Sequence, residues 1–101
     1  MQLRYINRIY VLSKALRKAS LTRQELYVLY SVHSINGATR FTDVHRSLFK
    51  NRITQSQTFT IKYLKQLVAK EFLRRDGNNF SITPEGIAVL QDVEHGLRTI
   101  N

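Results

Sequence analysis

The chain has 101 residues and 11.8 kDa, enough for one domain with a modest core; its 43% of hydrophobic residues points to a folded chain and against a disordered one. Sixteen Lys and Arg oppose seven Asp and Glu, for a formal net charge of +9, an excess that favours a polyanion, nucleic acid before acidic membrane. No cysteine is present, which excludes disulfides and thiolate metal sites.

No apolar run approaches the roughly 18 residues of a membrane span. The first stretch, MQLRYINRIYVLSKALRK, is broken by Arg4, Arg8 and Lys14 and has no small-residue cleavage site. The expectation is a cytoplasmic protein with no signal peptide and no membrane partner.

Residues 3–19 read as a helix, with Tyr5, Ile9, Leu12, Leu16 and Ala19 at helical spacing and Ile6 and Tyr10 widening the stripe. Thr22 and Glu25 then form a capping box. It opens a helix on which Leu26, Leu29, Tyr30 and His33 share a face and after which Gly37 suits the stop. The short TRF segment, 39–41, fits a small strand. A third helix is expected from a cap at Thr42 to Lys50, with Phe41, Val44 and Leu48 on its inner edge. Asn51 is expected to close it in a left-handed conformation. A fourth helix starts near Thr54 or Ser56, with Thr54 and Gln57 as a second capping box, and runs to Lys70. Its buried side takes Thr60, Ile61, Leu64, Leu67 and Val68.

From Phe72 the period changes. FLRRDGNNFSIT holds two short runs joined at Asp-Gly-Asn-Asn, a β-hairpin signal. Thr83 caps a last helix, Pro84 suits its first position and Glu85 complements its dipole. Gly86, inside the first turn, weakens a helix and implies close packing there. Leu90, Val93, Leu97 and Ile100 recur at three- and four-residue steps, a seam for another helix.

The fold expected is therefore mainly α with a small β-hairpin wing (α+β): a single winged helix-turn-helix domain over 1–101. Its parts are an N-terminal helix at 3–19, the core and wing at 22–83, and a C-terminal helix at 84–100. In such a plan the second helix of the pair fits the DNA major groove and the hairpin reaches phosphates or the minor groove. The charge follows that plan. Residues 39–75 carry Arg40, Arg46, Lys50, Arg52, Lys62, Lys65, Lys70, Arg74 and Arg75 against Asp43 and Glu71. The last helix reverses the balance, with Glu85, Asp92 and Glu94 against Arg98.

The run TQSQTFTIKYLKQLVAKEFLRRDGNNFSITPEG resembles the recognition helix, wing and last-helix start of MarR- and PadR-type winged-helix transcription regulators. Leu64 and Leu67 match the core leucines, KEFLRR the exit into the wing, and FSITPEG the return strand and helix start. The resemblance covers about residues 22–95 and implies a transcriptional regulator that binds double-stranded DNA in a sequence-specific way. Glu71 and Phe72 stand where such proteins often have a glycine. The chain is short for a MarR protein and shows no effector-pocket signature, so no ligand-sensing role is implied.

Off the core stripe of the fourth helix lie Gln55, Ser56, Thr58, Phe59, Lys62, Tyr63 and Gln66, the expected base-reading set. Gln suits adenine edges, Lys guanine or phosphate, and Thr and Phe thymine methyls. A solvated polar face is the plainer alternative, weakened by the two aromatics. Arg40, Arg46, Lys50, Arg52, Lys65, Arg74, Arg75, Asn78 and Asn79 are the expected backbone and wing contacts, although Arg74 and Arg75 also suit a guarded edge strand. Strand alternation turns one of those two arginines away from the DNA. Ile6, Ile9, Tyr10, Leu90, Val93, Leu97 and Ile100 suit a homodimer interface that would place two recognition helices on one site; the alternative is that the end helices pack on each other in one chain.

His33 is expected to be packed or half-buried, and His45 and His95 at the surface. Asp92, Glu94 and His95 lack the spacing of a convergent metal site. No paired carboxylates, activated nucleophile or phosphate loop appears, so neither a metal, a cofactor nor an enzyme is expected. A protein-interaction or assembly module on the same fold, and an architectural DNA-binding accessory factor of a mobile element or replication complex, are the competing functions.

Overall fold

The computed structural model describes residues 16, 17, 19–35 and 39–98, with side chains to residue 96. Of the expected first helix only its last turn falls there; Ile6, Ile9, Tyr10, Gly37 and Ile100 lie outside the described residues. The elements are α1 (Arg23–Ser34), β1 (Thr39–Arg40), α2 (Phe41–Lys50), α3 (Gln57–Ala69), β2 (Leu73–Asp76), β3 (Asn79–Ile82) and α4 (Pro84–Arg98). The architecture is α+β, mainly helical, with one three-stranded antiparallel sheet in the order β1-β3-β2. The hairpin β2–β3 pairs Leu73 with Ile82 through Asp76 with Asn79. β1 adds to its other edge, Thr39 opposite Phe80.

α1 is the hub, packing against α2, α3, α4 and β3. Its Leu26, Val28, Leu29 and Val32 meet Val44 and Leu48 of α2, Leu64 and Leu67 of α3, and Leu73 and Phe80 of the sheet in one core. A fully buried Leu or Val contributes roughly 1.5–3 kcal/mol, so this cluster dominates stability. Leu90 and Val93 belong to it, 4% and 0% exposed. The seam read along α4 is therefore this chain's own packing surface at those two positions and not a free dimer face.

Local signals set the element ends. The Thr22–Glu25 box forms as expected: Thr22 N–H donates to Glu25 Oε1 (2.9 Å) and Glu25 N–H to Thr22 Oγ1 (3.1 Å). α2 begins one residue before the expected Thr42 cap, with Arg40 at the cap position. α3 is capped by Ser56, whose Oγ accepts from Phe59 N–H. Thr54 instead accepts from Ser56 N–H across two residues, so the Thr54–Gln57 box does not form.

Three helices stop in the same way. Leu21, Ile53 and Phe72 donate their N–H to Leu16, Leu48 and Leu67, while Ser20, Arg52 and Glu71 donate to Arg17, Phe49 and Val68. This is the Schellman pair of bonds. Ser20 (φ 58°), Arg52 (φ 60°) and Glu71 (φ 66°) hold the left-handed position usually given to glycine. The expected Asn51 does not: its φ is −88°, because the six-residue ring places the reversal one residue later. At the wing junction Glu71 takes the missing glycine's conformation, at a cost of roughly 1–2 kcal/mol.

The hairpin turns at Gly77-Asn78, with positive φ at Gly77 (60°) only, the pattern of a type II′ turn. Its root is closed by Thr83, whose N–H donates to Phe72 O (3.1 Å) and whose Oγ1 donates to Glu71 O (2.7 Å). The same Oγ1 accepts from Gly86 N–H (3.0 Å), capping α4. A β-carbon at Gly86 would collide with the Phe72 carbonyl and lie 2.7 Å from Ile82 Cγ1. Gly86 thus lets the first turn of α4 press on the hairpin root.

Lys70 joins three chain segments. Its Nζ lies 2.8 Å from Glu25 Oε1 and donates to Ser20 O at 2.9 Å. Glu25 is fully buried, and its Oε2 has no hydrogen-bond partner. A buried carboxylate is tolerated only with a paired cation. Lys70, counted above among the basic residues suited to DNA, therefore serves the fold.

Candidate nucleic-acid interface

α3 buries Thr60, Leu64 and Leu67. Thr58, Ile61, Lys62 and Lys65 stand on the opposite side, all exposed, at the spacing that aligns side chains on one face. Ile61, expected inside, is 42% exposed. It lies one residue past Thr60, so the helical phase carries it about 100° away from the buried line.

Phe59 and Tyr63 differ from expectation in the other direction. They are half-buried, packed on the core, and meet edge-to-face with centroids 4.7 Å apart. Their presence off the core stripe is explained by packing, which removes the argument that they favour groove contact. Lys62 Nζ lies 5.3 Å from the Tyr63 ring centroid, a cation–π contact. Gln66 is half-buried, while Gln55, Ser56 and Thr58 are exposed.

Beside this face lies a cleft of about 440 Å³ between α3, the start of α2 and the hairpin. Ile61, Leu64 and Phe80 form its apolar floor, and Arg40, Lys65, Arg75 and Asn78 are polar lining residues. No acidic residue lines it. Phe41 and Thr42, in the first turn of α2, complete one wall. Arg40 N–H donates to Asp43 Oδ2 at 3.4 Å, but a guanidinium has no acceptor to return the bond. The first-turn amides of α2 consequently have no side-chain cap, and they add positive potential at the cleft.

The two hairpin arginines diverge. Arg75 shares the strand face of Leu73, is paired opposite Phe80, and holds its guanidinium 5.7 Å from the Phe80 ring centroid. Its Nε donates to Gly77 O at 2.9 Å, which presets the side chain at the cleft. Arg74, one residue earlier, faces the other side of the strand. Asn79 is exposed and opposite Arg40 in the sheet.

α2 has its own outward stripe, Thr42, Arg46, Phe49 and Lys50. Arg52 is also exposed, on the turn to α3. His45, expected at the surface, is half-buried: its Nδ1 lies 2.9 Å from the buried Thr60 Oγ1, and its ring stacks on Phe41 at 5.7 Å. This contact holds α2 against α3. His33, expected to be packed or half-buried, is exposed, with its ring edge-on to Tyr30 at 6.3 Å.

Among the described residues no helix is long and apolar enough to cross a membrane, and no cluster of three or more His, Asp or Glu could hold a metal ion. Comparison of the chain with protein-family models, curated proteins and solved structures returned no match.

Proposed function

We propose that the protein is a double-stranded DNA-binding regulator of the winged helix-turn-helix kind, with α3 as recognition helix in the major groove and the β2–β3 hairpin as wing. The observation that carries this reading is the outward stripe Thr58, Ile61, Lys62 and Lys65 beside an acid-free cleft lined by Arg40 and Arg75. A groove-filling helix needs a polar, cationic outer face with few bulky apolar groups, and a flanking cation on each side to hold phosphates. Thr58 and Lys62 are assigned to base edges, with Ile61 as an apolar contact for thymine methyls. Arg40, Lys65 and Arg75 are assigned to phosphates. Arg74 is assigned to neither.

The test is a titration against random duplex and a selected site at two salt concentrations. Three phosphate contacts predict a slope of log affinity on log salt of about −3. Absence of binding to either duplex at low salt sinks the proposal. Binding with no site preference favours the architectural reading over regulation. The stoichiometry of the same titration reads whether one or two copies occupy the site.

A further inference from the structure

Phe49 is the most exposed large hydrophobic residue described, at 57%, and stands outside the core cluster. It borders a shallow hollow of about 640 Å³ on the turn between α2 and α3, shared with Lys50, Arg52, Ile53, Thr54 and Gln55. No Asp or Glu occurs anywhere between Asp43 and Glu71. An open aromatic face, two cations and a carboxamide in one acid-free hollow are the parts of a site for one nucleotide. The ring stacks on a base, the cations hold its phosphates, and Gln55 meets the base edge.

A base inside a duplex has both faces covered by its neighbours, so it offers nothing to the Phe49 ring. We infer that the α2–α3 turn binds an unpaired nucleobase, as found in a single-stranded overhang or a splayed duplex end. This rests on the DNA reading for the charge of the partner, but it uses residues outside the α3 stripe and the cleft. The occupant is chosen by charge: Lys50 and Arg52 repel another cationic surface, including a second copy of this basic face, and attract a phosphodiester.

The test compares a blunt duplex with the same duplex carrying a four-nucleotide thymine overhang. The wild-type chain is expected to bind the overhang form about tenfold more tightly, the scale of one stacked base. Phe49→Ala, at a position outside the core, is expected to fold normally, to abolish that difference and to leave blunt-duplex affinity unchanged. The chain has no tryptophan, so Phe49→Trp gives a single reporter that should keep the preference and be quenched by the overhang but not by the blunt duplex. Equal wild-type affinities, a preference that survives Phe49→Ala, or an unresponsive Trp reporter would each overturn the inference. So would a change in sedimentation of Phe49→Ala, which would make the patch a contact between copies. Overhang binding through Phe49 without any blunt-duplex binding would support this site while rejecting the duplex-reading function.

Discussion

The root of the hairpin and the face beside its tip are contiguous in sequence and opposite in character. At the root, Lys70, Glu71, Phe72, Thr83 and Gly86 are tied by short bonds to one another, to Glu25 and to Ser20. On the face, Lys62 and Lys65 make no ion pair among the described residues, and Arg75 is held only by its own turn and a ring. Lys65 and Lys70 are the same residue type five positions apart. One is held by a buried carboxylate and the other is open to a partner. The contrast teaches that net charge names the kind of partner, while the position of the few acids decides which cations are available to it.

That comparison is sharpened most strongly at Gly86. Gly86→Ala should destabilise the fold by about 3 kcal/mol, because the new methyl group meets backbone that cannot move aside cheaply; urea denaturation reads it. Lys70→Met should cost about 2 kcal/mol, at the low side for a broken pair because the ammonium is partly exposed. DNA affinity per folded molecule should be unchanged. A Lys70→Met protein of full stability and weakened DNA binding would invert the assignment of the two regions.

On the face the expected pattern reverses. Arg75→Ala should weaken every duplex by about tenfold at moderate salt and flatten the salt slope by about one, with Arg74→Ala much closer to wild type. Lys62→Ala should instead relax site preference. Equal losses for Arg74 and Arg75 would show that strand alternation does not decide which of them reaches phosphate. Glu71→Gly should stabilise by about 1 kcal/mol by relieving a left-handed side chain, again without touching affinity.

The smallest effect is alkaline. Burial, with the Glu94 carboxylate second, raises the Tyr30 hydroxyl above its ordinary 10.0. The folded state therefore keeps the proton that the unfolded chain releases first. Its contribution is fully present below pH 10 and is lost as pH rises through the higher folded value. Tyr30→Phe should remove that part of the alkaline decline in a pH series of denaturation curves.

Much of the fold was legible because its signals are local. The Thr22–Glu25 box, the Gly77 turn and the Thr83-Pro84 start each lie within four residues, and Leu64 and Leu67 follow one helical stripe. The site was less legible. Counting Ile61 and Val68 as core by residue type shifts the expected stripe to one side and leaves Phe59 and Tyr63 off it, whereas the phase set by Thr60, Leu64 and Leu67 alone turns Ile61 outward. Phe49 was legible by the same rule, one residue past the buried line of Val44 and Leu48. The Lys70–Glu25 pair, 45 residues apart, leaves no local pattern at all. For Leu90 and Val93 the spacing is right, but spacing cannot say whose core they fill.

The two fixed ends of α3 make that helix a ruler. Ser56 starts it and the ring closing at Phe72 stops it, independently of what the outer face carries. Deleting one residue between Thr60 and Leu64 would rotate everything on one side of the cut by about 100°. Lys65 would turn toward the core, or Thr60 would leave it. The same deletion within Arg52–Gln55 would spare the helical phase. Length, more than any single side chain, is what α3 cannot vary.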